Sequence, residues 1–404
     1  MRFLQLSDIH FVREVDGVYD LDRELQWRFF EALDEIVEDY PIDAVLVCGD
    51  LAFSGKLAEY ARAGKFLRDV TSRLQIGQDT VYVIPGNHDI DRDSTDTSAQ
   101  RGLRSGLRVI DSDPARDAAL GAAAKDRASA ELLMEPLTEY VRFAAQYDCP
   151  TTAEAPSWDR FLYLHPDLEV GLRGINSVLT SHAHDHQTNE PLVVGTGQAL
   201  LEPAAGRVHV TLCHHPREWV LGADEISKRL DKYALVQVTG HTHSYKVIET
   251  GGGVWLRAGA LMPSRKEAEW KPHFSVVELE PTDTDIAVTV RPWAWDSDEV
   301  AFVRGDPESV VRPLPAGKVS PSRRTELDRA AATRRLVVRL AALPSGDILT
   351  AAINAGLPPL SGTVAEPPAI LGLEAASAAA GRGRLKDLWN EMNLLRGTSE
   401  DNPF

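Results

Sequence analysis

At 404 residues, the chain is long enough for two domains, or for one large domain with an appendage, and its 43% hydrophobic and 25% charged residues are typical of a globular protein. Three scattered cysteines argue against a disulfide framework, and the net charge of −17 weighs against long polyanionic ligands, although nucleic acid stays open as a partner. No apolar run is long enough to cross a bilayer and no apolar leader follows Met1, so we expect a cytoplasmic protein without a membrane partner.

The first 90 residues alternate between strand and helix patterns. Short apolar runs at 2–6, 43–48 and 80–84 indicate buried strands, and apolar residues at helical spacing predict helices over 21–38 and 57–74. This βαβαβ order predicts a mostly parallel sheet with helices on its faces.

The middle of the chain begins with a polar segment and then returns to strands. From 91 to about 128 no period is sustained, and 129–147 has a helical pattern, so we interpret 91–147 as an insertion over the strand ends, either a lid or an inert surface excursion. Strand patterns resume between 160 and 291, with short helices near 198–203 and 224–232. They predict a second, mixed sheet packed against the first.

The last hundred residues change character. A stretch rich in Pro, Gly and Arg predicts a linker at 301–325, and helical patterns follow at 325–343, 346–356 and 383–395. We therefore predict a domain at 1–300 that contains the insertion, and a helical C-terminal module at 326–404.

Five short polar motifs follow predicted strands: Asp8-Ile9-His10, Gly49-Asp50, Gly86-Asn87-His88-Asp89, His214-His215-Pro216 and Gly240-His241-Thr242-His243. Because loops at the carboxyl ends of strands in α/β sheets converge on one crevice, we expect these side chains to lie together. Carboxylate, imidazole and amide ligands suit Mn²⁺, Fe²⁺ or Zn²⁺. Such a ligand set is too large for one ion and fits two ions that share a bridging carboxylate.

The order of these motifs resembles the full motif set of the calcineurin-like metallophosphoesterase family over roughly residues 1–290. The resemblance implies an α/β fold built as a four-layer α/β/β/α sandwich, two divalent metal ions, and hydrolysis of phosphoric esters. It assigns two ligand sets that share Asp50: Asp8, His10, Asp50 and His243 for the first metal, and Asp50, Asn87, His214 and His241 for the second.

The resemblance also implies that His88 contacts the phosphate or protonates the leaving oxygen, and that a metal-bridging hydroxide is the nucleophile. Asn87, His88 and His215 are the predicted substrate contacts. Taken singly, Asp8, His10 or Asn87 would be interpreted as turn or capping residues, and His215 as a packing residue rather than a ligand. Asp89 either orients His88 or satisfies loop amides.

A further cluster alternates histidines at His182, His184 and His186. It is interpreted as an exposed loop near the rim of the site, with a third metal site as the alternative.

The segment from Gly49 to Gly55, followed by Glu59 and Tyr60, resembles the bacterial branch that includes cyclic-nucleotide phosphodiesterase-like enzymes. It implies a small phosphodiester or nucleotide substrate, and we expect Mn²⁺ as the metal. A DNA or RNA nuclease is the alternative, because the same two-metal chemistry cleaves both kinds of substrate.

The segments 340–344 and 383–389 of the C-terminal module resemble the small helical effector-associated modules of bacterial defence proteins. That resemblance implies a protein partner recruited through these helices, for an enzyme that acts as an effector. The alternative is a helical extension that packs on the catalytic domain or drives oligomerisation. A non-catalytic scaffold would be free to lose metal ligands, and this chain has them all, so we favour an enzyme.

Overall fold

The structure is a computed structural model that describes residues 1–12, 22–165, 167–185, 190–267 and 269–404. Its strands are β1 (Arg2–Leu6), β2 (Ala44–Cys48), β3 (Val81–Ile84), β4 (Trp158–His165), β5 (Leu168–Ile175), β6 (Arg207–Cys213), β7 (Ala234–Thr239), β8 (Lys246–Glu249), β9 (Val254–Arg257), β10 (His273–Pro281), β11 (Asp285–Asp296), β12 (Ala301–Arg304) and β13 (Glu308–Pro313). Its α-helices are α1 (Asp22–Asp39), α2 (Leu57–Leu74), α3 (Ser98–Arg108), α4 (Asp113–Lys125), α5 (Arg127–Met134), α6 (Thr138–Ala145), α7 (Ala223–Tyr233), α8 (Pro321–Ala341), α9 (Ser345–Asn354), α10 (Pro368–Gly381) and α11 (Leu385–Arg396).

The strands form two mixed sheets. The first has the order β12-β11-β10-β1-β2-β3, with β13 also paired to β11, and β1, β2 and β3 run parallel. The second has the order β4-β5-β6-β7-β9-β8, with β5, β6, β7 and β9 parallel. The first sheet was expected to be mostly parallel, but β10 to β13 join it antiparallel.

Helices cover the outer faces of the two sheets, which pack against each other. On the first sheet, Phe29 of α1 packs edge-on against Phe274 of β10, with ring centroids 5.0 Å apart, and stacks on Phe66 of α2. Between the sheets, the indole of Trp158 donates to the carbonyl of Val83 at 3.1 Å. Helix α7 packs on β6 and β7 of the second sheet. This order of layers confirms the predicted four-layer sandwich.

The insertion differs from its prediction, because residues 98–108 and 113–125 are helical rather than aperiodic. Short helices with few apolar residues leave a weak periodic pattern, but their N-caps are present in the sequence. The amides of Gln100, Ala115 and Ser129 bond the side chains of three capping residues, Thr97, Ser112 and Asp126. Whether the insertion acts as a lid stays a prediction.

The predicted linker at 301–325 is wrong over most of its length. Strands β12 and β13 occupy 301–313 and extend the first sheet, and α8 begins at Pro321. Both strands pair with β11 at the sheet margin, where prolines and glycines are tolerated. Residues 314–320 connect the sheet to the helices.

The C-terminal helices α8 to α11 form a module with an apolar core of its own, including Leu340, Ile348, Leu371 and Trp389. Helix α10 was not predicted, because its alanine-rich sequence lacks an apolar stripe. None of the helices in the described part of the chain combines the length and apolar character that spanning a bilayer requires.

The module also packs on the sandwich through α8 and α10. The buried guanidinium of Arg334 on α8 donates to the carbonyls of Asp79, Val81 and Asp148 and lies over the ring of Tyr82. This outcome agrees with the predicted extension that packs on the catalytic domain, and it leaves a protein partner as a prediction.

Candidate metal centre

Five strand ends bring the sequence motifs together at one edge of the sandwich. The residues predicted as ligands or substrate contacts all lie there: Asp8 and His10 after β1, Asp50 after β2, Asn87 and His88 after β3, His214 and His215 after β6, and His241 and His243 after β7. Strands β1, β2 and β3 run parallel, as do β6 and β7, so each sheet presents its carboxyl ends to the same crevice.

The backbone of these loops is strained at residues that supply candidate metal ligands. Five non-glycine residues have left-handed φ values between 53° and 70°: Asp8, His10, Asp50, His241 and His243. Such conformations cost about 1 kcal/mol or more each and cluster where a site requires them. The motif glycines have a related reason, because a Cβ on Gly86 would collide with the Asp50 carboxylate, and one on Gly49 with the His214 ring.

One group of donor atoms comes from Asp8, His10 and His243. Their donor atoms lie within 4.8 Å of one another. Nε2 of His243 is 3.3 Å from a carboxylate oxygen of Asp8 and 3.4 Å from Nε2 of His10. Two imidazole nitrogens and a carboxylate that face one point are donors that suit a divalent cation.

A second group gathers around the side-chain oxygen of Asn87. That oxygen lies 3.2 Å from Nε2 of His214 and 2.9 Å from Nδ1 of His241. Asp50 stands between the two groups, because its Oδ2 lies 3.4 Å from Nε2 of His214 and 3.9 Å from Nε2 of His10. The donors present therefore fit a metal site.

Neighbouring groups fix which ring nitrogen of each histidine faces the crevice. Nδ1 of His214 lies 2.8 Å from the carbonyl of Cys48, which can only accept, so Nδ1 donates there and Nε2 faces the crevice. Nδ1 of His243 is held in the same way by the Glu267 carboxylate at 2.9 Å. Both Nε2 atoms thus face the places where a cation would bind, and a cation would take the place of their protons.

The charges of the crevice favour a bound cation. Burial lowers the pKa of His10 to about 3, which keeps that imidazole neutral and able to ligate. Burial also acts on His214 and His243, but nearby carboxylates, mainly Asp50 and Asp8 respectively, outweigh it and raise their pKa values to about 9 and about 10. Those shifts show how strongly the buried carboxylates attract positive charge.

Asp89 ties two motif loops together. Its carboxylate accepts the amides of Leu51, Ala52 and Gly86 and the hydroxyl of Tyr60. Burial, reinforced by Asp50, raises the pKa of Asp89 to about 7. Of the two roles considered from sequence, satisfying loop amides is the one this geometry shows, and it sets the loop of Asp50 against the loop of His88.

His88 lies at the mouth of the crevice beside an exposed aromatic ring. Its amide donates to Asp50 Oδ1 at 2.8 Å, and its Nδ1 lies 2.8 Å from the carbonyl of Phe53. On the opposite side, the rings of His215 and Trp219 lie 4.5 Å and 4.3 Å from the ring of His241. His215 is buried, and its Nδ1 contacts the Ser177 hydroxyl at 2.8 Å. It therefore packs beside the candidate metal ligands.

Glu267 is a site residue that sequence reasoning missed. It lies 24 positions beyond the His243 that it contacts, in a loop without a motif, so spacing alone gave no signal for it. The predicted third metal site at the histidine cluster does not form among the described residues. His182 pairs with Asp185 at 3.2 Å, and His186 lies outside the described residues.

The two mixed sheets and the clustered Asp, His and Asn side chains at their edge point to one family of proteins. The family model of calcineurin-like phosphoesterases matches residues 1–245, which is more than half of the chain, and the chain belongs to this family.

A curated relative is YydB, a metallophosphoesterase-like protein of Bacillus subtilis strain 168, which is 33% identical over 98 residues. That match covers 24% of this chain and 19% of the relative, so the chain spans about a fifth of the curated protein's length. Among solved structures, a putative 5′-nucleotidase of Staphylococcus aureus aligns with a TM-score of 0.38 at 11% identity, covering 81% of this chain and 57% of the other. Vps29 of Chaetomium thermophilum aligns with a TM-score of 0.32 at 13% identity, covering 78% and 99%.

Proposed function

We propose that this chain is a phosphodiesterase with two divalent metal ions, acting on a nucleotide-type substrate. The position of Asp50 is the observation that carries the proposal, because its carboxylate lies within 4 Å of a histidine from each donor group. One carboxylate shared by two ions is the arrangement that clamps both oxygens of a phosphoryl displacement. Mn²⁺ suits the mixed nitrogen and oxygen donors, and Fe²⁺ or Zn²⁺ suits them as well.

The roles of the residues follow from their grouping. Asp8, His10 and His243 would hold one ion, Asn87, His214 and His241 would hold the other, and Asp50 would contact both. When bound, the two ions supply Lewis acidity and an acidified water, which phosphoric ester hydrolysis requires. The Cys48 carbonyl and Glu267 hold their imidazoles with Nε2 toward the ions.

His88 would act on the substrate rather than on a metal. Its Nδ1 lies against the Phe53 carbonyl, which fixes the ring, and the imidazole would contact a phosphate oxygen or protonate the leaving oxygen as the ester bond breaks. Its amide is bonded to Asp50, so the ring is positioned by the same carboxylate that stands between the donor groups.

Two aromatic rings support a nucleotide-type substrate. Phe53 is 46% exposed with its ring 5.2 Å from that of His88, and Trp219 packs edge-on against His241 at the other side. Such rings offer a planar base a stacking surface beside the scissile phosphate. A nuclease recruited as an effector through the C-terminal module is the alternative, and the substrate decides between them.

The test is hydrolysis of bis(p-nitrophenyl) phosphate by the full chain with and without Mn²⁺. We expect activity that requires the metal and falls by at least about 10²-fold in Asp50→Ala and His88→Ala. His165→Ala is the matched control, because His165 is an exposed histidine at the end of β4, and it should keep full activity.

Absence of hydrolysis with every divalent ion, despite two ions bound per chain, would contradict the proposal. For an active protein, rates on cyclic nucleotides, RNA and DNA then separate the two substrate classes. Faster hydrolysis of a small nucleotide diester supports the proposal, and activity confined to polymers supports the nuclease.

A further inference from the structure

Three of the arginines near the start of the insertion, Arg92, Arg104 and Arg108, differ in their surroundings. Arg104 is buried, and its guanidinium donates to the carbonyl of Thr95. Arg108 pairs with Glu190 and donates to the carbonyl of Pro191 at 3.2 Å. Both guanidinium groups thus have protein partners, although Nη2 of Arg108 is buried without one.

Arg92 is the exception. It lies four residues after His88, it is only partly exposed, and its Nε is buried. In residues 1–12, 22–165, 167–185, 190–267 and 269–404, its guanidinium has no hydrogen bond and no ion pair. The carboxylates that act on its charge are those of Asp50, in the donor groups, and Asp185, in the loop of the histidine cluster.

The turn that carries Arg92 is firmly held. The Asp91 carboxylate caps the turn by accepting the amide of Asp93 at 3.1 Å, and its own amide donates to the carbonyl of Pro136 at 2.7 Å. The ammonium of Lys56 bonds both carboxylates of that turn. The backbone of Arg92, four residues after His88, is therefore held in place by the fold.

A partly buried guanidinium without a partner is unfavourable, because it has lost water without gaining a hydrogen bond. Arginine is the side chain that recognises phosphate and carboxylate in a planar, two-point manner. At the rim of a phosphoesterase site, an anionic group of the substrate would satisfy it. Its charge already acts on that site, since burial lowers the pKa of His88 and Arg92 lowers it further.

We propose that Arg92 binds a second anionic group of the substrate, a phosphate or a carboxylate attached beside the scissile phosphate. The inference rests on the proposed function, because it assumes that the substrate lies between the donor groups and His88. Two dications held by Asp8 and Asp50 already exceed the single negative charge of a phosphodiester. A further fixed cation therefore favours a substrate that carries more than that one charge.

The test is equilibrium binding, which does not depend on turnover. Calorimetry on the full chain with Mn²⁺ would compare adenosine 5′-monophosphate with adenosine 3′,5′-bisphosphate. The wild type should bind the bisphosphate about 10- to 100-fold more tightly, as expected for a charge-assisted pair. Arg92→Gln should remove most of that difference, and Arg92→Lys should keep part of it, because lysine retains the charge without the planar fork.

Arg101→Gln is the matched control. Arg101 is an exposed arginine on α3 of the same insertion, paired with Asp96 at 3.0 Å, and its loss should leave the preference unchanged. Equal binding of the two ligands by the wild type would overturn the inference, and so would a preference that survives in Arg92→Gln. Neither result would touch the hydrolysis of bis(p-nitrophenyl) phosphate, which tests the proposed function separately.

Discussion

The strand-end loops and the C-terminal module differ in the kind of side chains that they bury. The loops gather carboxylates and imidazoles and hold five non-glycine residues at positive φ. The module has an apolar core, and its buried Arg334 is bonded to three backbone carbonyls. The difference teaches that the loops are arranged for binding at a cost in stability, while the module is arranged for packing.

The two regions are nevertheless connected through one strand. Arg334 donates to the carbonyls of Asp79 and Val81 at the start of β3, and β3 leads to the loop of Asn87 and His88. The packing of the module therefore supports a strand that carries the site.

The largest change is expected from a substitution that disables the metal site and leaves the C-terminal module folded. Asp50→Asn should lower kcat/KM for bis(p-nitrophenyl) phosphate by at least about 10³-fold, because the amide lacks the charge that two ions would share. It can still accept the His88 amide, so the circular dichroism spectrum should not change. Retained activity at saturating Mn²⁺ would show that Asp50 is dispensable.

The second largest change is expected from a substitution that destabilises the C-terminal module and leaves the metal site unaltered. Leu340 is fully buried in the module core, and Leu340→Ala should lower the free energy of unfolding by about 3 kcal/mol, because it creates a cavity there. Urea denaturation measures that change, and the activity of the folded protein should remain near wild type. A variant with normal stability would mean that this core contributes little.

A smaller effect sharpens the account of the first donor group. Glu267→Ala removes the carboxylate that holds Nδ1 of His243, and Mn²⁺ should then bind about 10- to 100-fold more weakly. A Mn²⁺ titration of activity measures the shift, and kcat at saturating Mn²⁺ should change less. If kcat falls with no change in metal affinity, Glu267 acts in another way.

The smallest effect concerns a buried titrating group outside the site. Burial, with a contribution from Lys271, lowers the pKa of His273 to about 3 while Tyr245 stacks on its ring. The His273 ring is therefore harder to protonate in the folded state than in the unfolded chain, where its pKa has the ordinary value. Stability from this residue is complete above that pKa, near 6.5, and is lost as the pH falls toward 3.

His273→Phe should therefore make the free energy of unfolding less dependent on pH in the acidic range. Between pH 7 and pH 5.5 the wild type should lose about 1 kcal/mol more than the variant. Urea denaturation at the two pH values makes the comparison. Parallel curves for the two proteins would mean that His273 takes up its proton equally well in the folded state.

Most of the fold and the set of site residues could be predicted because the signals were local. Asp8, Asp50, His88 and His241 stand directly after apolar strands, so chain order and sheet geometry place them at one edge. The four-layer sandwich followed from the family resemblance, and its order of layers is confirmed.

What could not be predicted depended on distant contacts. Glu267 contacts His243 through a loop without a motif. That Arg92 has no hydrogen-bond acceptor within the described part of the chain, while Arg104 and Arg108 have acceptors there, depends on the three-dimensional structure. Helix α10 lacked an apolar stripe, and β12 and β13 were hidden by prolines and glycines that a sheet margin tolerates.

The central claim is that Asp50 stands between two metal ions, and anomalous X-ray scattering from Mn²⁺-loaded crystals tests it most directly. The account predicts two peaks, one among Asp8, His10 and His243 and the other among Asn87, His214 and His241, with the Asp50 carboxylate between them. A single peak, or peaks away from Asp50, would contradict it.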